Sequence, residues 1–135
     1  MIVVDASAFL ELLLDTTSGA GVSRRLSETG EDAGAPHLLD VEVTHALRRL
    51  EKRGNLTAAR AFEALQDLHD FPLRRYPHTL LLPRVWELRR NLTAYDAMYV
   101  ALAEALDAPL LTRDRRLANA PGHKARIELC SRPIE

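Results

Sequence analysis

The sequence predicts an α/β fold: a three-layer α/β/α sandwich around a mostly parallel central sheet of four to five strands. Two observations carry this. Short apolar runs alternate with longer segments of helical periodicity, which is the pattern of βα units closing on a parallel sheet. Two of the runs, Ile2-Val3-Val4 and Leu110-Leu111, lack polar alternation and are each followed closely by an aspartate, Asp5 and Asp114. Strands buried on both faces read this way.

Taken in order, Ile2-Val3-Val4 predicts a buried strand that ends at Asp5. Ser7 is expected to cap a short helix reaching about Leu14. A loop holding Gly19 and Gly21 leads to a second helix over Val22–Ser27. Ala35–Leu39 reads as a second strand, and Val41–Arg53 as a helix with Val43, Ala46, Leu47 and Leu50 on one face and Gly54 as its stop. Thr57 opens a helix to His69. Leu73–Tyr76 is a weaker third strand. Pro83 fits the first turn of a helix ending near Arg90. Thr93 caps a long helix to Leu106, Pro109–Thr112 is the fourth strand, and Ala125–Leu129 a fifth. Crossovers between such strands are expected to be right-handed.

Length and composition narrow the class. With 135 residues, 47% of them hydrophobic and 27% charged, the chain fits one globular domain spanning residues 1–135. No apolar run approaches the ~20 residues of a membrane span. The start, Met1-Ile2-Val3-Val4-Asp5, meets an acid too soon for a secretory signal. Cys130 is the only cysteine, which excludes an intramolecular disulfide and a four-cysteine zinc site. A cytoplasmic location is the expectation. A net charge of −1 excludes a uniformly basic nucleic-acid binder. Of the 18 basic side chains, however, only Lys52 and Lys124 are lysine. The arginines come in pairs, among them Arg115-Arg116, and arginine offers forked contacts to phosphate. Coding bias and solvated helix faces explain the same enrichment.

The acids point to a site. Ligands of open parallel sheets bind beyond the carboxyl ends of the strands, so Asp5 and Asp114 can converge there. Each could also simply cap the next helix or turn. Asp96 lies in Thr93-Ala94-Tyr95-Asp96-Ala97-Met98-Tyr99-Val100-Ala101-Leu102-Ala103, a helix apolar nearly all round. At ~100° per residue it shares a face with Val100 and Ala103, where a lone carboxylate is costly unless paired or metal-bound. Thr93 and Asp96 also fit a capping box, and both readings stand. Glu42, early in its helix, is on its own a dipole partner. Glu42-x-x-His45 has the spacing of half a di-iron site, but no second half exists, so His45 reads as structural or solvent-facing. Phosphate-loop and nucleophile-elbow motifs are absent, and Cys130 has no evident histidine partner.

Four segments together resemble a known family. Val3-Val4-Asp5-Ala6-Ser7-Ala8, Leu38-Leu39-Asp40-Val41-Glu42-Val43, the Thr93-Ala94-Tyr95-Asp96-Ala97 helix start and Leu111-Thr112-Arg113-Asp114-Arg115-Arg116-Leu117 are similar, in order and spacing, to the PIN-domain toxins of VapBC toxin–antitoxin systems. The resemblance covers essentially the whole chain. It implies a sheet of order 3-2-1-4-5, a homodimer and an endoribonuclease dependent on Mg²⁺ or Mn²⁺ and silenced by a cognate antitoxin. It makes Asp5, Glu42, Asp96 and Asp114 the catalytic, metal-binding acids and Thr112 their supporting hydroxyl. Where some members carry a further acid after the last aspartate, Arg115-Arg116-Leu117-Ala118-Asn119 has none, which implies a weaker hold on a second ion.

Hard carboxylate oxygens without a cysteine or histidine cluster favour Mg²⁺ or Mn²⁺ over zinc. Asp5, Asp96 and Asp114 are the expected direct ligands, with Glu42 shared between ligation and positioning a water. Arg113, Arg115 and Arg116 are candidate RNA contacts, or else surface residues. Two other functions fit the same acids: a nuclease for DNA or branched junctions, and a catalytically silent interaction module.

Overall fold

The computed structural model describes residues 1–130. Its sheet has five strands: β1 (Ile2–Val4), β2 (Ala33–Pro36), β3 (Leu73–Tyr76), β4 (Leu110–Thr112) and β5 (Ile127–Leu129), in the order β3-β2-β1-β4-β5. Every neighbouring pair is parallel, with Ile2 opposite Ala33 and Val3 opposite Leu110. Ile2, Val3 and Val4 are all fully buried, as the unbroken apolar run requires of a strand covered on both faces.

Among the described residues seven α-helices cover the sheet. α1 (Ala6–Leu13), α2 (Thr17–Glu28), α3 (Leu38–Lys52) and α4 (Ala58–Asp70) form one layer, in which α1 packs on α2 and α3, and α3 on α4. α5 (Leu82–Glu87) packs on α6 (Ala94–Leu106), and α6 lies across β1, β2 and β4. α7 (Arg115–Asn119) is a short turn of helix between β4 and β5. The whole stretch Ala97–Ala103 of α6 is buried, so the helix predicted to be apolar all round is the central helix of its layer.

Several boundaries differ from expectation for identifiable reasons. α1 is capped by Asp5, whose carboxylate accepts from the Ala8 amide, and not by Ser7, which lies inside the helix. α2 begins at Thr17 rather than Val22: Thr16 caps it, and Gly19 sits within it because a Cβ there would lie 2.1 Å from the Glu11 carbonyl oxygen. β2 ends at Pro36, and Leu38-Leu39 opens α3 instead of closing the strand. Leu39 is buried from a helix start, which a short apolar run cannot distinguish from a strand end. α5 stops at Glu87 and β5 starts at Ile127.

The topology fixes where a ligand can enter. From β1 the chain moves to β2 and then β3 on one side. It then crosses back to β4 and β5 on the other. The carboxyl ends of β1 and β4 therefore flank the switch point, where the connections diverge and leave a crevice.

Candidate active site

Asp5 follows β1 and Asp114 follows β4, so the switch point is lined by acids from both sides. Asp5 is only 5% exposed. Its Oδ1 accepts from the Ser7 hydroxyl at 2.7 Å and the Ala8 amide at 3.0 Å, and its Oδ2 accepts from the Thr112 hydroxyl. Thr112 is fully buried and its hydroxyl also accepts from the Asp114 amide at 3.0 Å. Ser7 Oγ in turn accepts from the Arg113 amide at 3.0 Å. Two hydroxyls thus bind the end of β1 to the loop after β4. Thr112, which the resemblance implies as a supporting hydroxyl, gives its proton to Asp5, and Ser7, which sequence reading assigned to a helix cap, is an equal member of this network.

The other two acids arrive on helices. Asp96, half-buried in the first turn of α6, has its amide bonded to the Thr93 hydroxyl at 3.2 Å, so the cap is real. Glu42, in the second turn of α3, accepts through Oε1 from the Tyr99 hydroxyl of α6 at 2.6 Å. Tyr99 is 1% exposed and was read from sequence only as a core residue.

The acids sense one another. Burial raises the pKa of Asp5, and the charge of Asp96 adds to it against the hydrogen bonds from Thr112, Ser7 and Ala8. Burial also raises Glu42, helped by Asp96 and Asp5 and opposed by Tyr99. Asp96 is raised by burial and then by Asp114, with Thr93 and Arg116 pulling the other way. Tyr99 lies well above its ordinary value, from burial and the Glu42 charge, and so stays a proton donor. This is the signature of carboxylates crowded into a poorly solvated pocket.

The donor set suits a hard divalent cation. Among the described residues Glu42 Oε2 and Asp114 Oδ2 receive no hydrogen bond, the Asp96 side chain is approached by Thr93, and Asp5 accepts three where a carboxylate can accept about four. Among the described residues no three acid, imidazole or thiol groups already stand as a closed coordination cluster. An ion held here would relieve the mutual repulsion of these carboxylates.

The arginines divide. Arg113 pairs with Glu11 of α1 at 3.0 Å. Arg115 and Arg116 are exposed, with Arg116 Nε 3.7 Å from Asp114 Oδ1. A groove of about 590 Å³ opens beside Ser7 and Glu42 between α1 and α3, lined by Leu10, Leu38, Val41, His45, Arg49 and Tyr95. His45 is exposed there, as expected of a solvent-facing histidine. A second cavity of about 490 Å³ lies at the amino ends of β4 and β5, where Arg84 pairs with Glu104 and Arg126 with Asp107. None of the four acids lines it.

A parallel sandwich with acids at its switch point is the arrangement of a carboxylate-centred α/β enzyme fold, and comparison with known proteins identifies which. The PIN domain family matches residues 2–122. Ribonuclease VapC1 of Mycobacterium tuberculosis is 48% identical over 128 residues, covering 94% of this chain and 96% of the relative. Ribonuclease VapC12 of the same organism is 44% identical, covering 96% and 98%. Among solved structures, PAE2754 from Pyrobaculum aerophilum superposes with a TM-score of 0.65 at 27% identity, covering 93% of this chain and 81% of that one. VapC20 of M. tuberculosis, described as a sarcin–ricin-loop-cleaving toxin, gives 0.64 at 16% identity, covering 87% and 93%, a likeness of fold. The chain belongs to the PIN-domain family, in its VapC branch.

Proposed function

We propose that this chain is an endoribonuclease, the toxin of a type II toxin–antitoxin pair, which hydrolyses RNA phosphodiester bonds with a Mg²⁺ or Mn²⁺ ion held by Asp5, Glu42, Asp96 and Asp114. The observation that carries the reading is the convergence of these acids at the switch point, three of them with pKa values raised by burial and by one another. The naming of its relatives as ribonucleases supports RNA as the polymer.

When bound, the ion supplies Lewis acidity and a water acidified for in-line attack on phosphorus. Asp5, Asp96 and Asp114 offer it their oxygens. Asp5 does so from a fixed orientation, because Ser7 and Thr112 hold it. Glu42, with Oε1 engaged, keeps Oε2 to share ligation or to orient the attacking water. Arg115 and Arg116 offset the acidic field that would otherwise repel the backbone on either side of the scissile phosphate. The expected partners are a second copy of the chain and a cognate antitoxin, one segment of which would lie in the apolar groove beside the acids.

Matched single-stranded RNA and DNA oligomers, incubated with protein in Mg²⁺, test the polymer. Cleavage of RNA alone is expected. Equal cleavage of DNA would favour the DNA or junction nuclease, and cleavage of neither the silent interaction module.

A further inference from the structure

We propose that Tyr99 is a positioning residue for the reaction, acting through Glu42; the inference rests on the nuclease reading above. Tyr99 stands in the run Ala97–Ala103 of α6, which is otherwise entirely apolar and entirely buried. A phenylalanine would fill the same space, so packing does not require the hydroxyl. A buried phenol must find an acceptor, and this one finds the Glu42 carboxylate across the carboxyl edge of the sheet, at 2.6 Å.

The consequence is geometric. A glutamate has three rotatable side-chain bonds, and Glu42 stands on α3 and not just after a strand as Asp5 and Asp114 do. Asp5 is fixed by three donors and Asp114 by the Arg116 amide at 2.9 Å. Among the described residues Glu42 has only Tyr99. The phenol occupies Oε1 and leaves Oε2 as the oxygen available to an ion or a water. It also joins α3 to α6, so the two acid-bearing helices share one hydrogen bond at the site. Tyr99 lies three residues after Asp96, one helical turn along, so the same helix that delivers one acid orients another.

The test is a double-mutant cycle on wild type, Tyr99→Phe, Glu42→Gln and Tyr99→Phe/Glu42→Gln. The first readout is cleavage of the fastest-cut oligomer from a random single-stranded RNA pool, in saturating Mn²⁺. The second is Mn²⁺ affinity by calorimetry without RNA. Tyr99→Phe keeps the ring, and its melting curve is recorded alongside. The hydroxyl's loss is expected to lower turnover or Mn²⁺ affinity by 10- to 100-fold, on the order seen when groups supporting a ligand are removed. The double variant should behave like Glu42→Gln alone, since a group acting through Glu42 has nothing to act on once Glu42 is changed. Wild-type turnover and Mn²⁺ affinity in Tyr99→Phe beside an inactive Glu42→Gln would overturn the proposal and leave the nuclease reading intact. So would losses that multiply in the double variant. Full activity of Glu42→Gln would overturn both the proposal and the role of Glu42, and failure of wild type to cut RNA would overturn the nuclease reading itself.

Discussion

Asp96 carries two roles that the sequence could not separate. Its amide completes the cap with Thr93, while its carboxylate lies within the electrostatic reach of Asp114, Asp5 and Glu42. Asp96→Asn separates them. Asparagine supports a helix start, so the cap survives, but the charge that the proposed metal site would use is lost. Turnover and Mg²⁺ affinity should collapse, while the metal-free variant should melt no lower than wild type. Relief of repulsion is worth about 1–2 kcal/mol, the scale of one pKa unit. Mg²⁺ should raise the melting temperature of wild type and hardly that of the variant. Near-normal cleavage with an undiminished Mg²⁺ shift would return Asp96 to a capping role alone. Thr112→Val makes the complementary case, because it removes a fully buried hydroxyl that both donates to Asp5 and accepts from Asp114. Stranding those groups should cost about 1–3 kcal/mol, measurable by denaturant unfolding. Position beyond a strand end made Asp5 and Asp114 candidates and the apolar helix made Asp96 one, whereas Glu42 on its own read as a dipole partner and joined them only through the family resemblance. The hydroxyls of Ser7 and Tyr99 were not legible, because a helix-start serine and a core tyrosine each have an ordinary explanation until the partner across the fold is known.

At the scale of elements, what sequence reading located best was what local physics decides. β3 and the Thr93-capped α6 have their predicted bounds, and α4 opens at its threonine cap. What it misplaced depends on tertiary approach. The glycine pair in α2 looked like a loop, yet Gly19 is where α2 crosses the α1 backbone too closely for any side chain. Gly19→Ala should force the helices apart and destabilise the protein by about 1–3 kcal/mol, the usual cost of overpacking. Because α1 carries Ser7, and Glu11 to which Arg113 pairs, cleavage should fall as well. A melting temperature equal to wild type would show that the contact yields freely. α7 was missed altogether: at five residues it has too little periodicity to register, and Asp114 defines it by capping.

The whole molecule bears the cost of gathering its acids. Asp5, Glu42 and Asp96 bind protons more readily folded than unfolded. Their contribution is therefore fully favourable below the ordinary carboxylate range and is lost as pH rises through their raised folded values. Metal-free protein should melt higher at about pH 5 than at about pH 7.5, and Mg²⁺ should diminish the difference by stabilising the ionised cluster. A metal-free melting temperature that rises towards neutral pH would contradict the sign. Over the same surface, Arg115→Ala with Arg116→Ala should flatten the salt dependence of RNA binding by an inactive variant such as Asp5→Asn, if these exposed side chains hold phosphates.

Whether the four acids act as one metal-binding nuclease site is tested most directly by cleavage of single-stranded RNA by one preparation carried through EDTA and then Mg²⁺, beside Asp5→Asn treated identically. Wild type should lose its activity in EDTA and regain it with Mg²⁺, while Asp5→Asn should stay inactive throughout. Full cleavage by metal-free wild type, or restoration of Asp5→Asn by Mg²⁺ to the wild-type rate, would contradict the account.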